Sequence, residues 1–285
     1  MSVQSKSPIP EFYKLANPCV LCPNRCLVNR ENGETGLCRT GNTPMISSVS
    51  LHFGEEKILV GKGGSGTIFF TGCNLKCLYC QNYEISHEMN GKSITVEELA
   101  KHMLHLQNLG AENINLVTPS HQIHTIVHAL FIARDMGLSL PIVYNCGGYE
   151  SVETLQLLEG LIDIYMPDIK YGDNQEAKNY SGVNNYIEVM AIALKEMQRQ
   201  VGILELDKKG VAVRGLLIRH LVLPGGLEGI SDSKKVLDFI KNEISPESYV
   251  NIMGQYRPSY RAYEYPATIG KRLLYSDYAE VQEYA

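Results

Sequence analysis

Six short apolar runs, separated by stretches with apolar residues at helical spacing, divide the sequence between residues 67 and 253. Thr67-Ile68-Phe69-Phe70-Thr71, 113–118, 142–145, 162–166, 215–223 and 249–253 read as buried strands, being apolar but too short for buried helices. A capping box at Thr95 and Glu98 opens the first helix, in which Val96, Leu99, Ala100 and Met103 share one face before Gly110 stops it. Ile123, Ile126, Val127 and Leu130 mark a second helix ending near Gly137, and a third starts at Ser151. Ile187, Met190, Ala191, Leu194 and Met197 form the next stripe, and Val236, Phe239 and Ile240 the last. Six β/α units favour a parallel sheet with crossover helices. Six is fewer than the eight of a closed barrel, and periodicity leaves a partial barrel and a doubly wound sheet both open. In either, chemistry belongs at the C-terminal ends of the strands. Polar residues collect there: Cys73, Thr118-Pro119-Ser120-His121, Asn145, Asp168 with Lys170, and Arg219-His220.

The eight cysteines are clustered rather than scattered as core filler would be. Four stand at Cys19, Cys22, Cys26 and Cys38, three at Cys73, Cys77 and Cys80, and one at Cys146. Apolar residues make up 44% and charged residues 20% of the 285, the balance of a globular chain rather than a disordered one. A net charge of −5 without clustered Lys/Arg argues against a nucleic-acid binder. No apolar run approaches the roughly 18 residues of a membrane span. Met1-Ser2-Val3-Gln4-Ser5-Lys6 lacks the apolar core of a signal peptide, so the expected location is cytoplasmic, with no membrane partner. Thiols stay reduced there, which points the cysteines to metal or redox chemistry.

Cys73, Cys77 and Cys80 have the spacing C-x3-C-x2-C and follow the first strand. Such a loop can wrap three thiolates around one corner of an iron–sulfur cluster, leaving one iron open for catalysis. The alternative is a zinc site that borrows Cys146 or His87. Cys19, Cys22, Cys26 and Cys38 supply four soft ligands within a proline-rich stretch, suiting zinc or an auxiliary cluster equally. Residues 1–50 read as loop, with Pro8, Pro10, Pro18, Pro23 and Pro44 among glycines, so a metal could provide folding energy there.

The triplet, Tyr79 before its last cysteine and the six-fold pattern resemble the radical S-adenosylmethionine superfamily, and within it the family related to pyruvate formate-lyase activating enzyme. Gly64-Ser65-Gly66-Thr67-Ile68-Phe69-Phe70-Thr71-Gly72-Cys73-Asn74, Tyr144-Asn145 with Gly148-Tyr149-Glu150-Ser151, Pro167-Asp168-Ile169-Lys170-Tyr171 and Arg219-His220-Leu221-Val222-Leu223-Pro224-Gly225 carry the likeness. It implies a partial (β/α)6 TIM-like barrel, with a cysteine-rich segment over 1–50, the core over 51–257 and a tyrosine-rich extension over 258–285, short for a final helix. It also implies that Cys73, Cys77 and Cys80 bind a [4Fe–4S] cluster whose fourth iron chelates S-adenosylmethionine. Reductive cleavage then yields methionine and a hydrogen-abstracting 5′-deoxyadenosyl radical, with a one-electron donor such as flavodoxin or ferredoxin as partner. Tyr79 would lie against the adenine, Asn145, Asp168 and Lys170 near the methionine end, and Arg219 on a carboxylate. Activation of a glycyl-radical enzyme and modification of another protein or small molecule are both open, as is a non-enzymatic electron-transfer or zinc module. Thr118-Pro119-Ser120 stands where the superfamily usually has a Gly-Gly-Glu-like segment, Asn145 replaces an Asp of activating enzymes, and the chain has no tryptophan.

Three weaker signals read as structural. Gly61-x-Gly63-x2-Gly66 precedes a strand rather than following one, so it is a turn and not a dinucleotide loop. His121, His124 and His128 fit one packed or solvated helix face, with His121 alone near the strand ends. Cys146 fits a small buried filler.

Overall fold

The computed structural model describes residues 7–285; residues 1–6, which carried the signal-peptide reading, lie outside the described residues. Among the described residues nine strands follow in chain order: β1 (Met45–His52), β2 (Ser65–Phe70), β3 (Lys92–Ser93), β4 (Ile114–Val117), β5 (Ile142–Cys146), β6 (Ile164–Ile169), β7 (Glu205–Leu206), β8 (Ala212–Leu221) and β9 (Tyr249–Met253). The six expected strands β2, β4, β5, β6, β8 and β9 pair as neighbours in that order, all parallel. β1 adds antiparallel to β2, β3 to β1, and β7 to the start of β8. A strand order that never reverses keeps every crossover helix on one face and curls the sheet, whereas a doubly wound sheet needs a reversal. Among the described residues no ladder joins β9 back to the β1 and β2 edge, so the barrel is partial.

Strand side chains alternate between two environments. Ile68, Phe70, Ile114, Leu116, Ile142, Tyr144, Tyr165, Leu216 and Ile218 belong to the main core, which the crossover helices also enter. Val143, Ile164, Met166, Ala212 and Leu217 lie on the opposite face and close around Leu59, from the short helix Lys57–Val60. Two residues further along their strands, the same inner face turns polar: Asn145 follows Val143, Asp168 follows Met166 and Arg219 follows Leu217. The barrel is therefore plugged by apolar side chains at one end and lined with polar ones at the other.

The capping box forms as read: Thr95 Oγ1 accepts the Glu98 amide at 3.1 Å and Glu98 Oε2 accepts the Thr95 amide at 2.8 Å. It opens the helix Val96–Asn108, which buries Leu99, Ala100 and Met103. Four elements depart from the sequence reading. The stretch read as loop over 1–50 contains the helix Ile9–Ala16 and most of β1. Pro8 and Pro10 sit at the helix start, where a missing N–H is harmless, and Phe12 and Ala16 are buried. A helix Asn174–Ser181, capped by Asp173, is polar enough to show no stripe. The tyrosine-rich end forms a helix, Tyr275–Tyr284, with only Val281 buried. In addition, β6 runs on past Met166 through Pro167; its pairing to β8 lapses between Tyr165 and Asp168, where proline has no N–H to give.

Candidate active site

The cysteine triplet begins three residues after β2 ends. Gly72 makes the turn with φ +86°, and a Cβ there would lie 2.6 Å from the Cys38 carbonyl oxygen, so only glycine fits. The Thr71 carbonyl accepts His121 Nε2 and Gln122 Nε2, both at 2.8 Å, which pins the strand end beneath the loop. His121 is thus a buried strut, and burial lowers its pKa to about 3. Cys73 Sγ accepts the Leu75 amide at 3.4 Å. Ser181 Oγ lies 3.0 Å from Cys77 Sγ and 2.7 Å from the Tyr171 hydroxyl, while Ser86 Oγ lies 3.2 Å from Cys80 Sγ. Burial, then the neighbouring Cys77, pushes the Cys73 thiol up to about 12. Such a group ionises only when a metal supplies the compensating charge.

Opposite the triplet, the strand register sets Asp168 beside Arg219 and Arg219 beside Asn251. Arg219 Nε donates to Asp168 Oδ1 at 2.7 Å, Nη1 to Glu55 Oε1 at 3.1 Å and Nη2 to Asn145 Oδ1 at 2.8 Å. Lys170 Nζ takes the other Asp168 oxygen at 2.9 Å, and Asn115 Nδ2 takes the other Glu55 oxygen at 2.9 Å. Burial alone would raise the Asp168 pKa, but Arg219 and Lys170 together bring it below its ordinary value. The network fixes two cations and two carboxylates in an orientation that water cannot rearrange.

A cavity of 230 Å³ joins the two halves: Cys77, Tyr79 and Cys80 line one side, Asp168, Lys170 and Arg219 the other. Tyr79 is buried edge-on between Tyr171 and Tyr256, at centroid distances of 6.4 and 5.9 Å, and its hydroxyl has no partner among the described residues. Asn145 reaches the group through Arg219. Thr118, just after β4, holds φ +60°, a conformation costly for a β-branched residue and sustained here by the hydrogen bond that its N–H donates to the Asn145 carbonyl at 2.8 Å. A larger cavity of 610 Å³ lies elsewhere, between Leu237, Ile240, Val250 and Tyr284, and holds none of these groups.

The remaining readings sort by position. Among the described residues no three thiols, imidazoles or carboxylates stand close enough to share a single metal ion. The zinc alternative for the triplet fails in detail as well: Cys146 is packed into the helix-side core, and His87 Nε2 is bonded to the Cys77 carbonyl at 3.1 Å. Four sulfurs converging on one zinc are likewise not formed by Cys19, Cys22, Cys26 and Cys38. The histidine face is packed: Tyr13 meets His124 and His128 edge-on at 5.4 and 6.0 Å. The glycine turn sits at the far end of the barrel, where the Lys62 and Gly63 amides donate to Glu112 Oε1. Sequence reasoning missed Glu55, Asn115, Ser86, Ser181 and Tyr171. Of these, only Asn115 carried a usable signal, as a polar residue inside an apolar strand.

The sequence model of the Radical SAM superfamily matches residues 67–204, which carry the triplet, Asn145, Asp168 and Lys170. The pyruvate formate-lyase-activating enzyme of Clostridium pasteurianum is 26% identical over 203 residues, spanning 67% of this chain and 76% of its own. The chain belongs to the radical S-adenosylmethionine superfamily. It is a radical S-adenosylmethionine enzyme, and its cofactors are a [4Fe–4S] cluster and S-adenosylmethionine. An uncharacterized protein of Methanocaldococcus jannaschii is 35% identical over 276 residues, covering 94% of this chain and 74% of that protein. Streptococcus suis SuiB bound to S-adenosylmethionine shares the fold at a TM-score of 0.50 and 12% identity, over 75% of this chain and 44% of that one. The three-cysteine loop suits the radical S-adenosylmethionine cluster: its sulfurs face hydroxyls and an amide, and two of them open on a polar cavity. Among the described residues no helix is long and apolar enough to cross a membrane.

Proposed function

We propose that the 230 Å³ cavity between the triplet and the Asp168–Lys170–Arg219 group is where this enzyme splits S-adenosylmethionine and abstracts hydrogen from a segment of another protein or a bulky molecule. That meeting of thiols and an oriented ion-pair network at one mouth is the observation that carries the reading. Cys73, Cys77 and Cys80 would hold the cluster, leaving one iron without a protein ligand. When bound, the cluster supplies the electron that cleaves the sulfonium to methionine and a 5′-deoxyadenosyl radical. The protein's own residues orient and exclude. Lys170 and the N–H groups of Arg219 not engaged by Asp168, Glu55 and Asn145 match a carboxylate. The Asp168 carboxylate, held ionised, matches an ammonium, and the unpartnered Tyr79 hydroxyl marks the adenine side. A one-electron donor such as flavodoxin or ferredoxin must supply the electron.

A macromolecular or bulky substrate is favoured by the partial barrel, whose strand ladder does not close beyond β9. Activation of a glycyl-radical enzyme is the second reading, favoured by likeness to the Clostridium protein and to the pyruvate formate-lyase 1-activating enzyme of Escherichia coli K12, 29% identical over 190 residues. The absence of tryptophan and the Asn145 replacement weigh against it. Anaerobically reconstituted enzyme, a strong reductant and candidate glycyl-radical partners from the same cell decide between them. Release of 5′-deoxyadenosine without a glycyl doublet in electron paramagnetic resonance supports the first reading, and a doublet dependent on Cys77 supports the second. Loaded, reduced enzyme that never releases 5′-deoxyadenosine would sink both.

A further inference from the structure

Arg30 is the most unusual charged residue outside the cavity. Its side chain is buried, with 2% of the residue exposed. Its hydrogen bonds go to the carbonyls of Gly41 and His121, at 3.1 and 2.8 Å, and to two sulfurs: Nε to Cys19 Sγ at 3.2 Å and Nη2 to Cys38 Sγ at 3.5 Å. Among the described residues none goes to a carboxylate. A guanidinium cannot shed its proton, and burying it without a counter-anion is strongly unfavourable. Among the described residues, the only groups hydrogen-bonded to its side chain that can carry negative charge are the cysteine sulfurs.

The other two cysteines of the set show the same preference. Asn24 Nδ2 donates to Cys22 Sγ at 3.7 Å, and the Leu37 amide donates to Cys26 Sγ at 3.4 Å. All four sulfurs are thus offered N–H donors, although a neutral thiol is a poor acceptor. Thiolates bound to metal are the form that N–H groups stabilise. The chain is wound closely around them, with positive φ at Arg25 and Leu27, flanking Cys26, and at Arg39, after Cys38. Yet the four do not close around one ion, just as the triplet does not. A cluster, whose several metal atoms hold its ligands apart, removes that difficulty.

We infer that Cys19, Cys22, Cys26 and Cys38 hold a second iron–sulfur cluster, ligated entirely by protein, whose negative charge is the counterion of buried Arg30. Its position is next to the catalytic loop: Asn24 Nδ2 donates to the Asn74 carbonyl at 2.7 Å, and the Cys38 carbonyl packs on Gly72. The inference does not depend on the triplet reading, and metal analysis separates the two. Wild-type protein reconstituted anaerobically should carry iron and acid-labile sulfide in equal amounts, beyond the about four irons of one cluster, and no zinc. The Cys73→Ala/Cys77→Ala/Cys80→Ala variant should lose one cluster and keep the other; if it keeps all the wild-type iron, the triplet reading fails instead. Arg30→Met should leave the first cluster's spectrum unchanged and move the second cluster's midpoint potential to a more negative value, because a positive charge and two N–H···S bonds are lost. One zinc per chain in place of the additional iron, or a folded triple variant without metal, would overturn the inference. So would wild-type iron content in a protein lacking all four N-terminal cysteines.

Discussion

At the scale of single residues, the thiols of the triplet and that of Cys146 have different surroundings. Cys77 and Cys80 line it, Cys73 starts the loop, and Cys146 is packed into the helix-side core. Replacing Cys73, Cys77 or Cys80 by Ala should abolish 5′-deoxyadenosine release and remove one cluster's absorbance, whereas Cys146→Ala should leave both and lower stability modestly. Asp168 links Arg219 and Lys170, each with less than a fifth of its side chain exposed. Asp168→Ala leaves two buried cations with only Glu55 between them and should cost about 3 kcal/mol in denaturant melts, besides weakening S-adenosylmethionine binding. Because the folded-state pKa of Asp168 lies below its ordinary value, its stabilising contribution is present at neutral pH and is lost as pH falls through the folded value. The stability difference between wild type and Asp168→Asn should therefore shrink with acidification; a difference that grows toward low pH would contradict the ion-pair account.

At the scale of elements, the turn from β2 into the triplet is where geometry is tightest. Gly72→Ala would place a methyl group 2.6 Å from a backbone oxygen and in a left-handed conformation. It should cost more than about 1 kcal/mol and reduce cluster occupancy, which iron analysis and thermal melting check together; unchanged values would mean that the N-terminal segment is not seated on this turn. The same element logic explains the β6 end. Pro167 interrupts the ladder to β8, but the strand resumes, so that Asp168 and Arg219 come into register two residues past the apolar plug.

At the scale of the whole molecule, the cysteine-rich N-terminus is not an appendage. Phe12, Ala16 and Leu21 belong to the main core, and Thr154 donates to the Leu21 carbonyl at 2.9 Å. Removing residues 1–44 would strip that surface and free the floor of the triplet loop. The truncated chain should fail to unfold cooperatively or should precipitate, and a soluble truncation with a full wild-type melting transition would show the segment to be an independent unit. The tyrosine-rich end acts on the other side, where Tyr260 stacks between Tyr83 and His87 at 5.2 and 4.6 Å, just beyond Cys80.

The six central strands with their main crossover helices, the parallel pairing and the two cysteine groups were written in the sequence, because period and spacing are local properties that survive without tertiary contacts; the strand order, which periodicity left open, was decided by the fold. The polar inner positions were readable for the same reason: in a strand whose Val143 faces the plug, Asn145 faces the same way. The helix Ile9–Ala16 and strand β1 were obscured by prolines and serines, whose local preferences point to loops. Partnership was decided by the fold alone. Ser181 reaches Cys77 across 104 positions and Glu55 reaches Arg219 across 164, distances over which no periodicity carries information. Crossover packing brings those segments together, and only then does a lone serine become a sulfur partner or a loop glutamate a counterion.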